Sequence, residues 1–61
     1  MAIYRIEATN GVDNQYKKLK PGTTLEEAKQ KMIDLFQEDY LGLDYYLLDE
    51  NGSELFVLEQ D

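Results

Sequence analysis

The apolar residues of this chain change their spacing twice, and that change limits the folds open to it. Over residues 2–9 they alternate. Ala2, Tyr4, Ile6 and Ala8 fall on one side, and Ile3, Arg5, Glu7 and Thr9 on the other. A period of two belongs to a strand with one buried face. Between Leu25 and Tyr40 the spacing becomes three and four. Leu25, Ala28, Met32, Leu35, Phe36 and Tyr40 share one side of a helix, and Lys29, Gln30, Asp34, Gln37 and Glu38 cover the other. Two short apolar runs, Tyr45–Leu48 and Leu55–Val57, then flank the polar segment Asp49-Glu50-Asn51-Gly52-Ser53-Glu54. The expectation is an α+β fold in ββαββ order, with a four-stranded, mainly antiparallel sheet and one helix packed on one face. Strands are predicted near 2–9, 15–19, 45–49 and 54–59, and the helix over Thr24–Asp39. Residues 1–61 read as a single domain without repeats or linkers.

Local chemistry sharpens the boundaries. Asn10-Gly11 is a hairpin signal. A two-residue turn there would set Tyr16 opposite Arg5, whereas a loop of odd length sets it opposite Ile6 or Ala8. A slip of one residue reverses every side chain, so the pattern predicts an odd loop with Tyr16 facing the core. Lys17 and Lys18 mark the second strand as an edge. Pro21-Gly22 ends it. Thr23 and Thr24 each have a Glu three residues on, so either pair makes a capping box. Gly42 is the expected helix stop. A turn at Asn51-Gly52 pairs Leu48 with Leu55, Leu47 with Phe56 and Tyr46 with Val57. It also sets Asp49 opposite Glu54, an unfavourable pair that a cation or a basic partner would relieve.

Composition decides what holds such a chain together. With 61 residues and no Cys or His, the domain has no disulfide and lacks the ligands zinc prefers. A chain this short buries only about 60% of its unfolded surface, which leaves good packing or association as its means of stability. No apolar run approaches the roughly 20 residues of a membrane span, and the N-terminus is charged too early for a secretory signal. A cytoplasmic location is expected.

Charge is the strongest compositional signal. The net charge is −7. All six bases lie in residues 1–31, which carry +2, and the chain from Met32 onward holds nine acids and no base. Direct nucleic-acid binding and anionic membranes are disfavoured. Asp34, Glu38, Asp39, Asp44, Asp49, Glu50, Glu54, Glu59 and Asp61 fit either a solvated, solubilising surface or a mimic of a phosphate track that enters a basic groove.

Catalytic chemistry is poorly supplied. The usual general base and the thiol nucleophile are missing, Ser53 is the single serine, and it falls in a turn. No enzyme activity and no cofactor are expected. The Asp49–Glu54 loop offers oxygen ligands for Ca²⁺ but is too short for an EF-hand, and a plain turn accounts for it. The five tyrosines are expected in the core with their hydroxyls reaching the surface.

The last hairpin carries the main functional expectation, because both its faces are apolar. Tyr46, Leu48, Leu55 and Val57 share one, and Tyr45, Leu47, Phe56 and Leu58 share the other. One helix covers one face, so the second either meets a partner or is shielded by Ile3, the C-terminal tail and sheet twist. A protein partner with a basic surface is expected at Asp34, Glu38, Asp39, Asp44, Tyr45, Leu47, Asp49, Glu50, Glu54, Phe56 and Leu58. A homodimer through the hairpin is the alternative. In composition the chain is similar to small acidic inhibitor proteins encoded by phages and mobile elements, which implies a module that blocks a nucleic-acid-handling protein.

Overall fold

A computed structural model describes residues 3–60. The elements run β1 (Arg5–Thr9), β2 (Asn14–Lys18), α1 (Leu25–Glu38), β3 (Asp44–Leu48) and β4 (Glu54–Leu58). The ββαββ order is as expected. The sheet order is β2-β1-β3-β4, and every pairing is antiparallel. The lysine-bearing strand is therefore an edge, and β4 is the other. The expected residue Ala2 of the first strand lies outside the described residues, as does Asp61 of the acidic set.

The helix forms where its caps direct. Thr24 Oγ1 accepts from the Glu27 amide at 3.1 Å, and Glu27 Oε1 accepts from the Thr24 amide at 3.0 Å. This reciprocal box selects Thr24 over Thr23, whose hydroxyl instead donates to the Lys20 carbonyl at 2.7 Å. The Thr24 amide and hydroxyl hold the Glu27 carboxyl below its ordinary range, which suits its place at the positive helix end. The far end differs from expectation. The helix stops at Glu38, and Asp39 is already extended (φ −69°, ψ 135°). Gly42, at φ +72°, turns the following loop rather than capping the helix. Tyr40 consequently leaves the apolar stripe and stands 90% exposed.

The helix lies over β3 and β4. Ala28 and Met32 are fully buried against Ile6, Ala8, Tyr45 and Leu47, with Leu25, Leu35, Phe36, Phe56 and Leu58 packed around them. Phe36 meets Tyr45 edge-on at 6.0 Å between centroids. Leu43 and Leu19, each just outside a strand, complete the core. Burial of each large side chain contributes about 1.5–3 kcal/mol.

Two registers depart from the sequence pattern. Thr9 pairs with Asn14, so the first loop, residues 10–13, is even in length. Tyr16 pairs with Glu7, away from the core, and is 73% exposed. Asn10 sets this loop. Its Oδ1 accepts from the amides of Val12 (2.8 Å) and Asp13 (2.7 Å), and its Nδ2 donates to the Leu41 carbonyl (3.2 Å). Because the helix leans toward β3 and β4, the inner side of β2 stays exposed among the described residues, and an outward Tyr16 forfeits little burial.

In the second hairpin Leu47 pairs with Phe56 and Tyr46 with Val57 as expected, but Leu48 pairs with Glu54 and not with Leu55. Gly52 adopts φ +86° and donates to the Asp49 carbonyl at 3.1 Å. Asp49 Oδ1 accepts from the Asn51 and Ser53 amides at 2.8 and 2.9 Å. This turn brings Ser53 back to Asp49, and a bulge at Leu55 absorbs the extra residue. The Asp49–Glu54 opposition does not form, and backbone amides occupy the Asp49 carboxylate.

Candidate protein interface

Alternation assigns each strand residue to a face. Ile6, Ala8, Tyr45 and Leu47 are buried under the helix, so their neighbours Arg5, Glu7, Thr9, Tyr46 and Leu48 look the other way. Across this open face runs a cross-strand row, Tyr16–Glu7–Tyr46–Val57. Beside it, toward the strand ends, run Asn14–Thr9–Asp44 and Lys18–Arg5–Leu48–Glu54. The face holds a shallow concavity of about 520 Å³, with Arg5, Glu7, Tyr16, Tyr46 and Glu54 among its walls.

Tyr46 is central to it. Partial burial pushes its hydroxyl pKa up, and the carboxylates Asp44, Glu59 and Glu54 push it further. An aromatic ring thus sits within a negative field, flanked by Glu7 on one side and Val57 on the other. Part of the apolar face is closed from within. Leu48 is only 7% exposed. Its cross-strand neighbour Arg5 reaches the last turn, with Nη2 3.6 Å from where a Cβ on Gly52 would stand. The shielding thus includes an arginine that the sequence pattern treated only as an outward polar residue.

The four apolar residues expected at the partner are corrected by this arrangement. Tyr45, Leu47, Phe56 and Leu58 belong to the helix-covered side, where Tyr45 and Leu47 are buried and Phe56 and Leu58 pack on the core. Lys29 Nζ lies 5.3 Å above the Phe56 ring. Tyr46, Leu48, Leu55 and Val57 form the outward set. Of these Leu55 is the most open, at 41%.

The acidic residues are not brought to one surface. Asp34, which accepts from Gln30 Nε2 at 3.0 Å, and Glu38 lie exposed on the helix, on the opposite side of the molecule from the open face. Asp39 ties the helix to β3. It accepts from the amides of Leu43 (2.9 Å) and Leu41 (3.3 Å), from the Tyr45 hydroxyl (3.3 Å) and from Gln60 Nε2 (3.4 Å). Burial opposes its ionisation, but these hydrogen bonds outweigh burial and hold the carboxyl below its ordinary range. Burial, and then the Asp39 charge and hydrogen bond, raise the Tyr45 hydroxyl in turn. Asp44 accepts from the Gln60 amide at 2.9 Å. Glu50 stands in the turn by a small hollow shared with Ile3, Arg5 and Lys18.

Asp39 and Asp49 are thus occupied by the fold, and Asp44 holds the Gln60 amide, while the charges of Asp44, Glu59 and Glu54 all act on Tyr46. Glu7, Tyr16, Tyr46 and Val57 are members of the open face that the sequence-predicted set lacks. The period-two pattern already placed Glu7 outward; Tyr16 depended on the loop register. Among the described residues no three carboxylates converge as metal ligands, and no helix is long and apolar enough to cross a membrane. Comparison with protein-family models, with curated proteins and with solved structures finds no match to this chain.

Proposed function

We propose that this chain is a protein-binding module that docks a basic protein on the open face of its sheet. The observation that carries this is the row Tyr16–Glu7–Tyr46–Val57 with Asp44, Glu54 and Glu59 around Tyr46. Tyrosine rings offer faces to Lys and Arg, and the carboxylates accept their charge-assisted hydrogen bonds. Tyrosine is also enriched in interface cores. A net charge of −7 adds long-range steering toward a positive surface. The finer form of the proposal is an inhibitor that occupies the basic groove of a nucleic-acid-handling protein. It draws support from the part of the acidic run that lies by the open face, Asp44, Glu54 and Glu59.

Photo-crosslinking tests the proposal. A crosslinking amino acid replaces Tyr46 in one variant and Tyr40, exposed but outside the face, in another. In cells of the source organism, Tyr46 should capture a basic protein that Tyr40 does not, and capture in extracts should fall as salt rises. Equal capture at both positions, or capture indifferent to salt, would contradict docking on this face. Competition of the captured protein by nucleic acid tests the finer form.

A further inference from the structure

The sheet has two edges, and they are defended unequally. β2 carries Lys17 and Lys18, charges of the kind that deter pairing with another strand. β4 carries no charge from Leu55 to Leu58; its acids, Glu54 and Glu59, stand at the two ends. The stretch between them, Leu-Phe-Val-Leu, is rich in strand formers. The bulge at Leu55 interrupts only the turn end and leaves Phe56–Leu58 in regular pairing with β3.

The helix adds a second feature at this edge. Lys29 lies over Phe56 of β4. Ile33 follows it by four residues and so shares that side of the helix. Ile33 is half-buried yet stands outside the group that packs on the core. An extended segment beside β4 would find unpaired backbone groups along the strand and an apolar side chain above. It would meet Glu54 and Glu59 at the ends of the open side.

We infer that β4 is a strand-addition site and that its occupant is an extended segment of a basic protein partner. The segment carries Lys or Arg at two positions four residues apart, matching Glu59 and Glu54, with short apolar residues between them. Main-chain bonds supply affinity in this mode, and alternate side chains supply specificity. The inference rests on the docking of a basic partner proposed above and specifies how the partner's backbone engages. Charge argues against a second copy as occupant. A two-fold antiparallel pairing centred between Phe56 and Val57 opposes Glu54 with the second copy's Glu59 at both ends, between chains that each carry −7.

The probe is the capped peptide Gly-Lys-Val-Val-Val-Lys-Gly, compared with the same peptide N-methylated at its three valines. Methylation keeps charge and side chains but removes strand pairing. Binding to the full chain is followed by titration, with amide exchange read residue by residue. The expected result is affinity at least about tenfold higher for the unmethylated peptide, with exchange slowed along Leu55–Leu58 and unchanged along β2. Equal affinity for the two peptides would overturn strand addition while leaving docking by charge and face intact. Slowed exchange at β2 would overturn the choice of edge. Binding of neither peptide would count against both proposals. Self-association of the free chain that protects Leu55–Leu58 would overturn the choice of occupant and give the edge to a second copy.

Discussion

The two faces of the sheet are made by the same five-residue strands, yet they differ in what their side chains touch. On the covered face, Ile6, Ala8, Tyr45 and Leu47 are at most 5% exposed and meet Ala28 and Met32. On the open face, the row Tyr16–Glu7–Tyr46–Val57 mixes aromatic, acidic and apolar groups, and the helix lies on the other side of the sheet. With no Cys or His in the chain, the first face does most of the work of holding it together, joined by the buried Leu48 of the second, so substitutions at these positions should act on folding. Substitutions at the exposed positions of the second face should act on association.

The largest effect is expected at Leu47, which is fully buried at the centre of the sheet. Leu47→Ala removes methyl groups from a packed site and should cost about 2–5 kcal/mol. For a domain of this size that is most of the stability, so the variant should be largely unfolded at 37 °C by circular dichroism. A melt close to that of the wild type would break the contrast between the faces.

A smaller effect, dependent on pH, is expected at Asp39. Its carboxyl is held below the ordinary range in the folded chain. The stabilisation is therefore present above the unfolded pKa and is lost as pH falls through the folded one. Acidification also relieves repulsion among the exposed carboxylates, so a comparison with Asp39→Asn isolates the contribution. The variant should be less stable than the wild type at neutral pH, and the gap should narrow on acidification below the ordinary aspartate range. A gap that stays constant in denaturant titrations across that range would show that the Asp39 charge is not what joins the helix to β3. The smallest effect belongs to the open face. Tyr16→Ser, at a site 73% exposed, should change stability by no more than about 0.5 kcal/mol. A larger loss by thermal melting would place Tyr16 in the fold rather than on a free surface.

Periodicity made much of this legible. The alternation through Ile6 and Ala8, the three-and-four spacing through Met32, and the Thr-to-Glu spacings that start at Thr23 and Thr24 marked the elements, because each is a local property of the chain; the hydrogen bonds then chose Thr24. What misled were features settled by contacts between elements. Loop parity at Asn10 depended on a side chain that binds Val12, Asp13 and the distant Leu41. The bulge at Leu55 depended on Asp49 gathering the turn amides. The choice between two apolar hairpin faces depended on where the helix lies, and neither face differs enough in composition to reveal it. Leu43 joins the core because Asp39 binds its amide, which no spacing rule announces.

The division of labour between the faces is tested most directly by side-chain NMR during titration with the Gly-Lys-Val-Val-Val-Lys-Gly peptide. The ring signals of Tyr46 and the methyl signals of Val57 should shift progressively, while those of Met32, Leu43 and Leu47 stay in place. Movement of the core signals with Tyr46 and Val57 unperturbed would contradict docking on the open side of the sheet.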